Sequence, residues 1–163
     1  MLTLPRIVER AETHYVAVAQ GVTIPFGEVI DPLMGEAAGF LEASGMTDFG
    51  PAIFKYNVVD MPRLDMEFGF IVDRPQAGND RVRAGVLPAG RYATLTYTGP
   101  YDDLESVTAV LIGWAKEKSI NWDSTPGPKG EAFVARFEIY LNGPMDEPDP
   151  QKLETEIWIK IRG

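Results

Sequence analysis

The chain spells out one run of elements twice, and such a chain must bury two copies of one amphipathic unit against each other. In the first copy a strand is read at about 14–20, a helix at about 27–43, and strands at about 52–58 and 64–72. In the second, a strand at about 90–97 leads to a helix at about 102–118 and strands at about 133–141 and 153–161. The segments 64-LDMEFGFIV-72 and 153-LETEIWIKI-161 align without a gap as Leu, acid, any residue, Glu, then an apolar-rich run. The segment 13-THYVAVAQG-21 resembles the stretch from Gly90 around its Tyr, and Pro25-Phe26 corresponds to Pro100-Tyr101. The expected fold is therefore α+β. It has duplicated β-α-β-β units, antiparallel sheets with two helices, and a pseudo-two-fold axis with a central ligand cleft. All 163 residues form one domain, with repeat one over about 5–75 and repeat two over about 85–163.

Local punctuation supports these elements. Val29, Ile30, Leu33, Met34, Ala37, Phe40 and Leu41 recur at helical spacing, and Gly45 suits the position just past the helix end. Pro32 and Gly35 predict an irregular first turn or two. Leu104, Val107, Val110, Leu111 and Trp114 form the stripe of the second helix, with Asp102 expected as its cap. Trp114 is read as core; Met61 and Met66 are read as core, with the lining of a pocket as the alternative. The run 142-NGPMDEPDPQ-151 reads as a solvated loop at the rim of the cleft.

Alternation in the last two strands points to the site. Side chains in a strand alternate between faces. Ala135, Phe137, Ile139 and Leu141 share one face of the first strand, opposite Arg136, Glu138 and Tyr140. In the second strand Leu153, Thr155, Ile157, Ile159 and Ile161 lie opposite Glu154, Glu156, Trp158 and Lys160. A helix is expected to cover Phe137, Ile139, Ile157 and Ile159, leaving a ring-lined, acidic second face. By the same parity the predicted cleft contains Phe54, Tyr56, Glu67, Glu138, Tyr140, Glu156 and Trp158, with Tyr92 at its edge. Acids held against rings attract lipophilic cations through charge and through ring quadrupoles. A plainer reading pairs Glu138 with Arg136 or Lys160 on an exposed face.

Composition removes whole classes of function. A net charge of −9 argues against nucleic acid, which needs a basic stripe. With no Cys and one His, Cys-based zinc sites, disulfides and thiol chemistry are excluded, and any His-dependent triad would rest on His14. No cofactor and no metal are expected. No secretory leader and no apolar run near the ~20 residues that span a bilayer are visible, so the expectation is a cytoplasmic protein without membrane contact.

The order 97-YTGPYDDL-104, Trp114, 138-EIYLNGP-144 and 155-TEIWIKI-161 resembles the GyrI-like small-molecule-binding domain, the effector-binding domain of AraC- and MerR-type regulators. The resemblance runs over essentially the whole chain and is most specific in the second half. It implies that Glu138, in the Glu-x-Tyr strand, is the central ligand-binding carboxylate. The family's His-x-Gly-x-Tyr turn here carries Tyr97 in place of His, with Gly99 and Tyr101 kept. No basic DNA-binding helix accompanies the domain, so a stand-alone form is expected. The leading reading is a binder of amphipathic, cationic or aromatic small molecules, in sensing or sequestration. The resemblance also implies an alternative, a hydrolase opening cyclopropane-containing DNA-alkylating toxins. Glu138 would then be the base, and Tyr97, Tyr101 or Tyr140 the donor. A third reading is a gyrase-inhibitor-like module whose acidic surface meets a protein partner; a homodimer also stays open.

Overall fold

The computed structural model describes all residues, Met1–Gly163. In chain order the elements are β1 (Arg6–Arg10), β2 (Thr13–Thr23), α1 (Gly27–Ala43), β3 (Ala52–Asp60), β4 (Arg63–Val72), β5 (Val82–Leu87), β6 (Gly90–Thr98), α2 (Leu104–Glu117), β7 (Ser124–Gly127), β8 (Gly130–Phe133), β9 (Arg136–Tyr140) and β10 (Glu154–Lys160). The strands form one ten-stranded antiparallel sheet, and its main path runs β1-β6-β10-β9-β3-β4-β2-β5. That order is palindromic when β2, β3 and β4 are exchanged with β6, β9 and β10. The outermost strands are crossed: β1, which precedes β2, pairs with β6, and β5, which precedes β6, pairs with β2.

A short link forces this sheet to curl. β5 ends at Leu87 and β6 begins at Gly90, so three Cα steps, at most about 11 Å, join them. Along the path the two strands are six places apart, about 29 Å if the sheet were flat. The sheet therefore folds over on one face. That face packs Tyr15, Ile53, Leu87, Tyr92, Phe137, Ile139 and Trp158 into a core of their own. Both helices lie on the other face. α1 buries Leu33, Ala37 and Leu41 against Val16, Val18, Met66 and Phe68. α2 sets Val107 and Leu111 against Ala93, Leu95, Ile157 and Ile159.

Several expectations need correction. β1, β5, β7 and β8 were not foreseen, and the strand expected at 133–141 is divided between β8 and β9. A bulge between Tyr56 and Val58 lets β3 leave β9 and pair with β8. α1 is continuous through Pro32, which sits in its second turn and leaves the Glu28 carbonyl without its usual intrahelical donor. The other α1 boundary held: Gly45, with φ 86°, donates to the Glu42 carbonyl at 3.0 Å, and Met46 to that of Leu41 at 2.9 Å. Asp102 does not cap α2; Tyr101–Asp103 form a 3-10 turn, and Asp103 at the cap position makes no side-chain capping bond. No helix is long and apolar enough to cross a membrane.

Candidate functional site

The two helices do not meet over the centre of the sheet. The gap between them is a cavity of about 790 Å³ floored by β3 and β9, within the size range of small-molecule sites. α1 and its approach contribute Phe26, Ile30 and Met34; α2 and its approach contribute Tyr101, Leu104, Thr108 and Ile112. Phe54, Tyr56, Arg136, Glu138, Tyr140 and Ile157 rise from the sheet, and Gly143 and Pro144 of the acidic loop close one side.

Glu138 stands at the middle of the floor, only 6% exposed and paired in register with Phe54. Directly paired residues of antiparallel strands project to the same side. The matched Leu64 and Leu153 segments, carried through the strand registers, make Phe54 and Glu138 equivalent positions, and likewise Tyr56 and Tyr140. Both tyrosines donate to one atom. The Tyr56 hydroxyl lies 3.0 Å from Glu138 Oε1 and the Tyr140 hydroxyl 2.5 Å from the same oxygen. Oε2 has no protein hydrogen bond. One half of a pseudo-symmetric frame thus holds a carboxylate where the other holds a ring, and tyrosines of both halves hold that carboxylate.

Electrostatics follow from burial. Desolvation raises the Glu138 carboxyl above its ordinary value, although the Tyr140 and Tyr56 hydrogen bonds and the Arg136 charge pull the other way. Burial, then the neighbouring carboxylate, holds the Tyr56 and Tyr140 hydroxyls well above the usual phenol range, so both remain donors. Burial also raises Tyr101. The walls are edge-to-face rings: Phe54 on Tyr140 at 4.7 Å, Phe54 on Phe68 at 4.9 Å and Tyr101 on Tyr140 at 5.4 Å between centroids.

Of the residues expected here, Glu138, Tyr140, Phe54, Tyr56 and Tyr101 are brought together. Trp158, Glu156, Glu67 and Tyr92 are not; they lie on the opposite face. The register explains the error. Ile157 is paired with Glu138, whereas Trp158 is paired with Phe137 and Glu156 with Ile139. Glu67 is likewise paired with Lys55, one residue out of step with Phe54. There Trp158 stacks on Phe137 at 6.3 Å beneath the Arg10 guanidinium, and its indole N–H donates to Glu156 at 3.1 Å. Glu67 accepts from Tyr15 at 2.9 and 3.0 Å and from Asn57 at 2.8 Å, with Lys55 3.5 Å away. Tyr92 is fully buried and donates to the Pro88 carbonyl at 2.7 Å. Phe137 and Ile139 are accordingly not under a helix, while Ile157 and Ile159 are.

Tyr97 does not line the cavity; its ring lies across Gly99, where a Cβ would meet it within 2.4 Å, and its hydroxyl donates to Asp103. Glu138 pairs with neither Arg136 nor Lys160; Lys160 bonds Asp123 at 2.9 Å instead. Met61 is 54% exposed and lines the cavity, the alternative to its core reading, whereas Met66 is core. Sequence reasoning missed Phe26, Ile30, Met34, Thr108 and Ile112. Ile30 and Met34, four residues apart on the α1 stripe, carry only its helical spacing as a signal. No group of three His, Asp or Glu side chains is placed to hold a metal ion.

A family profile described as the GyrI-like small molecule binding domain matches residues 4–162. No curated protein matches the chain in sequence. Among solved structures, the C-terminal domain of EcmrR superposes with a TM-score of 0.70 at 17% identity, over 98% of this chain and 97% of that domain. EcmrR in its DNA complex gives 0.73 at 17% identity; there the chain spans 98% of its own length but 57% of EcmrR. SAV2435 bound to tetraphenylphosphonium gives 0.63 at 12% identity, covering 99% and 95% of the two chains. A hydrolase from Listeria innocua gives 0.60 at 16% identity, covering 97% and 91%. Likeness at these identities carries the fold alone.

Proposed function

The chain belongs to the GyrI-like small-molecule-binding family, and from that premise we propose that its cleft binds amphipathic aromatic molecules carrying a cationic group, with Glu138 as anchor. One observation carries the reading: two tyrosines hold Oε1, while Oε2 remains without a protein donor on the floor of a largely apolar cavity. A carboxylate so placed is stripped of water and favours an incoming cation. Phe54, Tyr56, Tyr101 and Tyr140 supply the ring faces for it. The fold shared with a protein bound to tetraphenylphosphonium, an aromatic cation, supports the same class of ligand. The role is sensing or sequestration, and a transcriptional output requires a further DNA-binding component. The test is a thermal-shift screen of lipophilic cations against wild type and Glu138→Gln. Stabilisation that weakens in the variant supports the proposal; no response to any cation would sink it.

A second reading, hydrolysis of a strained electrophile, has one observation in its favour: the Tyr101 side chain shares the cavity with Glu138. Glu138 would take a proton from water and Tyr101 would donate to the oxygen that gains charge. Tyr97, held by Asp103, has no part in it. Mass spectrometry of a cyclopropane-bearing alkylator incubated with the protein decides the matter. A water-added product that disappears in Glu138→Gln supports hydrolysis, and an unchanged alkylator rejects it.

A further inference from the structure

Arg136 is the one basic side chain lining this cavity. It precedes Glu138 by two residues in β9, so both side chains leave the same face of the sheet, roughly 7 Å apart along the strand. Its guanidinium carbon lies 5.6 Å from the centre of the Tyr56 ring and 4.9 Å from that of Phe133. It nevertheless donates no hydrogen bond to the protein and forms no ion pair. The two nearby carboxylates are engaged elsewhere: Glu138 Oε1 with Tyr56 and Tyr140, and Glu131 with the Ser124 hydroxyl at 2.5 Å. A guanidinium has five donors in a planar fork and keeps its charge at any physiological pH. Burial disfavours that charge, and the nearby Glu138 and Glu131 carboxylates pull the other way without bonding it, so the half-buried fork meets no protein acceptor and is open to one from a ligand.

We propose that Arg136 forms an acceptor subsite beside the Glu138 cation site, so that the favoured ligands are zwitterionic aromatic amphipaths. The ligand carboxylate meets the Arg136 fork while its cationic nitrogen meets Glu138 Oε2. This inference rests on the cleft reading above and narrows its ligand class. A pure cation must lie beside an unpaired guanidinium. A zwitterion of matching span satisfies both groups, and bidentate geometry suits Arg to a carboxylate.

The test uses rhodamine B, which carries a free carboxylate, and its ethyl ester, which does not, with binding followed by dye anisotropy at neutral pH. Wild type is expected to bind the acid at least about tenfold more tightly than the ester, the scale of one charge-assisted hydrogen bond. Arg136→Met should bring the ratio to about one by weakening only the acid, and Arg136→Lys should restore part of it. The wild-type ratio needs no variant, so a misfolded Arg136→Met leaves the decision intact. Equal or tighter binding of the ester by wild type overturns the Arg136 subsite while leaving the cleft reading in place. Failure of both dyes to bind overturns the subsite and the cleft reading together.

Discussion

Replacing Glu138 by Gln separates what this side chain does for the fold from what it does for a ligand, and the two effects should have opposite signs. The carboxyl is 6% exposed, and its proton affinity is raised by desolvation that two tyrosine hydrogen bonds and Arg136 only partly offset. Gln keeps an acceptor oxygen for Tyr56 and Tyr140 and removes the charge. The empty protein should gain roughly 1–2 kcal/mol at neutral pH, which for a chain of this length raises Tm by about 2–8 °C. The ligand effect is larger and opposite. A cation about 4 Å from a carboxylate gains about 4 kcal/mol at an effective dielectric near 20. Stripping water from the cation consumes part of that, so affinity should fall about tenfold to hundredfold.

The pH dependence fixes the sign. The carboxyl of Glu138 is raised in the folded state, so its contribution to stability is fully present below the unfolded carboxyl value of about 4.3. That contribution is lost as pH rises through the raised folded value. Wild type and Glu138→Gln should therefore melt alike in acid and diverge above it, with Gln the more stable. Cation affinity of wild type should rise over the same range. Calorimetric melts across pH, with titration calorimetry of tetraphenylphosphonium, read both quantities. A Gln variant less stable than wild type at neutral pH, or one that binds the cation equally well, would refute the reasoning.

The double exchange Phe54→Glu with Glu138→Phe moves the anchor to its pseudo-symmetric position, still between Tyr56 and Tyr140; it should keep cation binding within about tenfold of wild type, and complete loss would refute the equivalence. Trp158→Phe should lower stability by roughly 1–3 kcal/mol and leave ligand affinity unchanged by titration calorimetry, because the indole packs on the face away from the cavity. Tyr97→Phe removes the bond to Asp103 at the surface; cation affinity and the product profile with an alkylator should match those of wild type. A large change in either would return Tyr97 to the site.

What could be read from the chain was what a single strand or helix encodes. Alternation along β9 correctly set Glu138 and Tyr140 apart from Phe137 and Ile139, and helical spacing located α1 to the residue. Combining strands needs their register, which no single strand contains. Placing Glu156 and Trp158 with Glu138 assumed that two runs with similar alternation present their mixed faces to the same side. The pairing of Ile157 with Glu138 reverses that, and a shift of one residue exchanges every side chain between faces. The plainer face of β10 was the cleft face, and its aromatic, acidic one closed the inner core. β1 and β5 were missed for a related reason. Each is short, and each pairs with a strand of the other repeat, so neither carries a local signal of where it belongs.

The same exchange explains why an asymmetric site arises on a symmetric frame. Crossed edge strands tie each repeat to the other, and the central pairing of β3 with β9 places equivalent residues opposite one another. Had both repeats carried Glu at the Phe54 and Glu138 positions, two carboxylates would face each other across one strand gap with the same two tyrosines to hold them. Like charges at such a separation cannot both ionise readily. Replacing one by Phe leaves a single carboxylate with donors from both halves, and turns the vacated position into a ring that packs on Tyr140. The difference at that one pair of positions gives the cavity a ring on one side of the axis and a carboxylate on the other. Arg136 enters from the charged half alone, because the equivalent position in β3 is Ala52, which has no charge to offer.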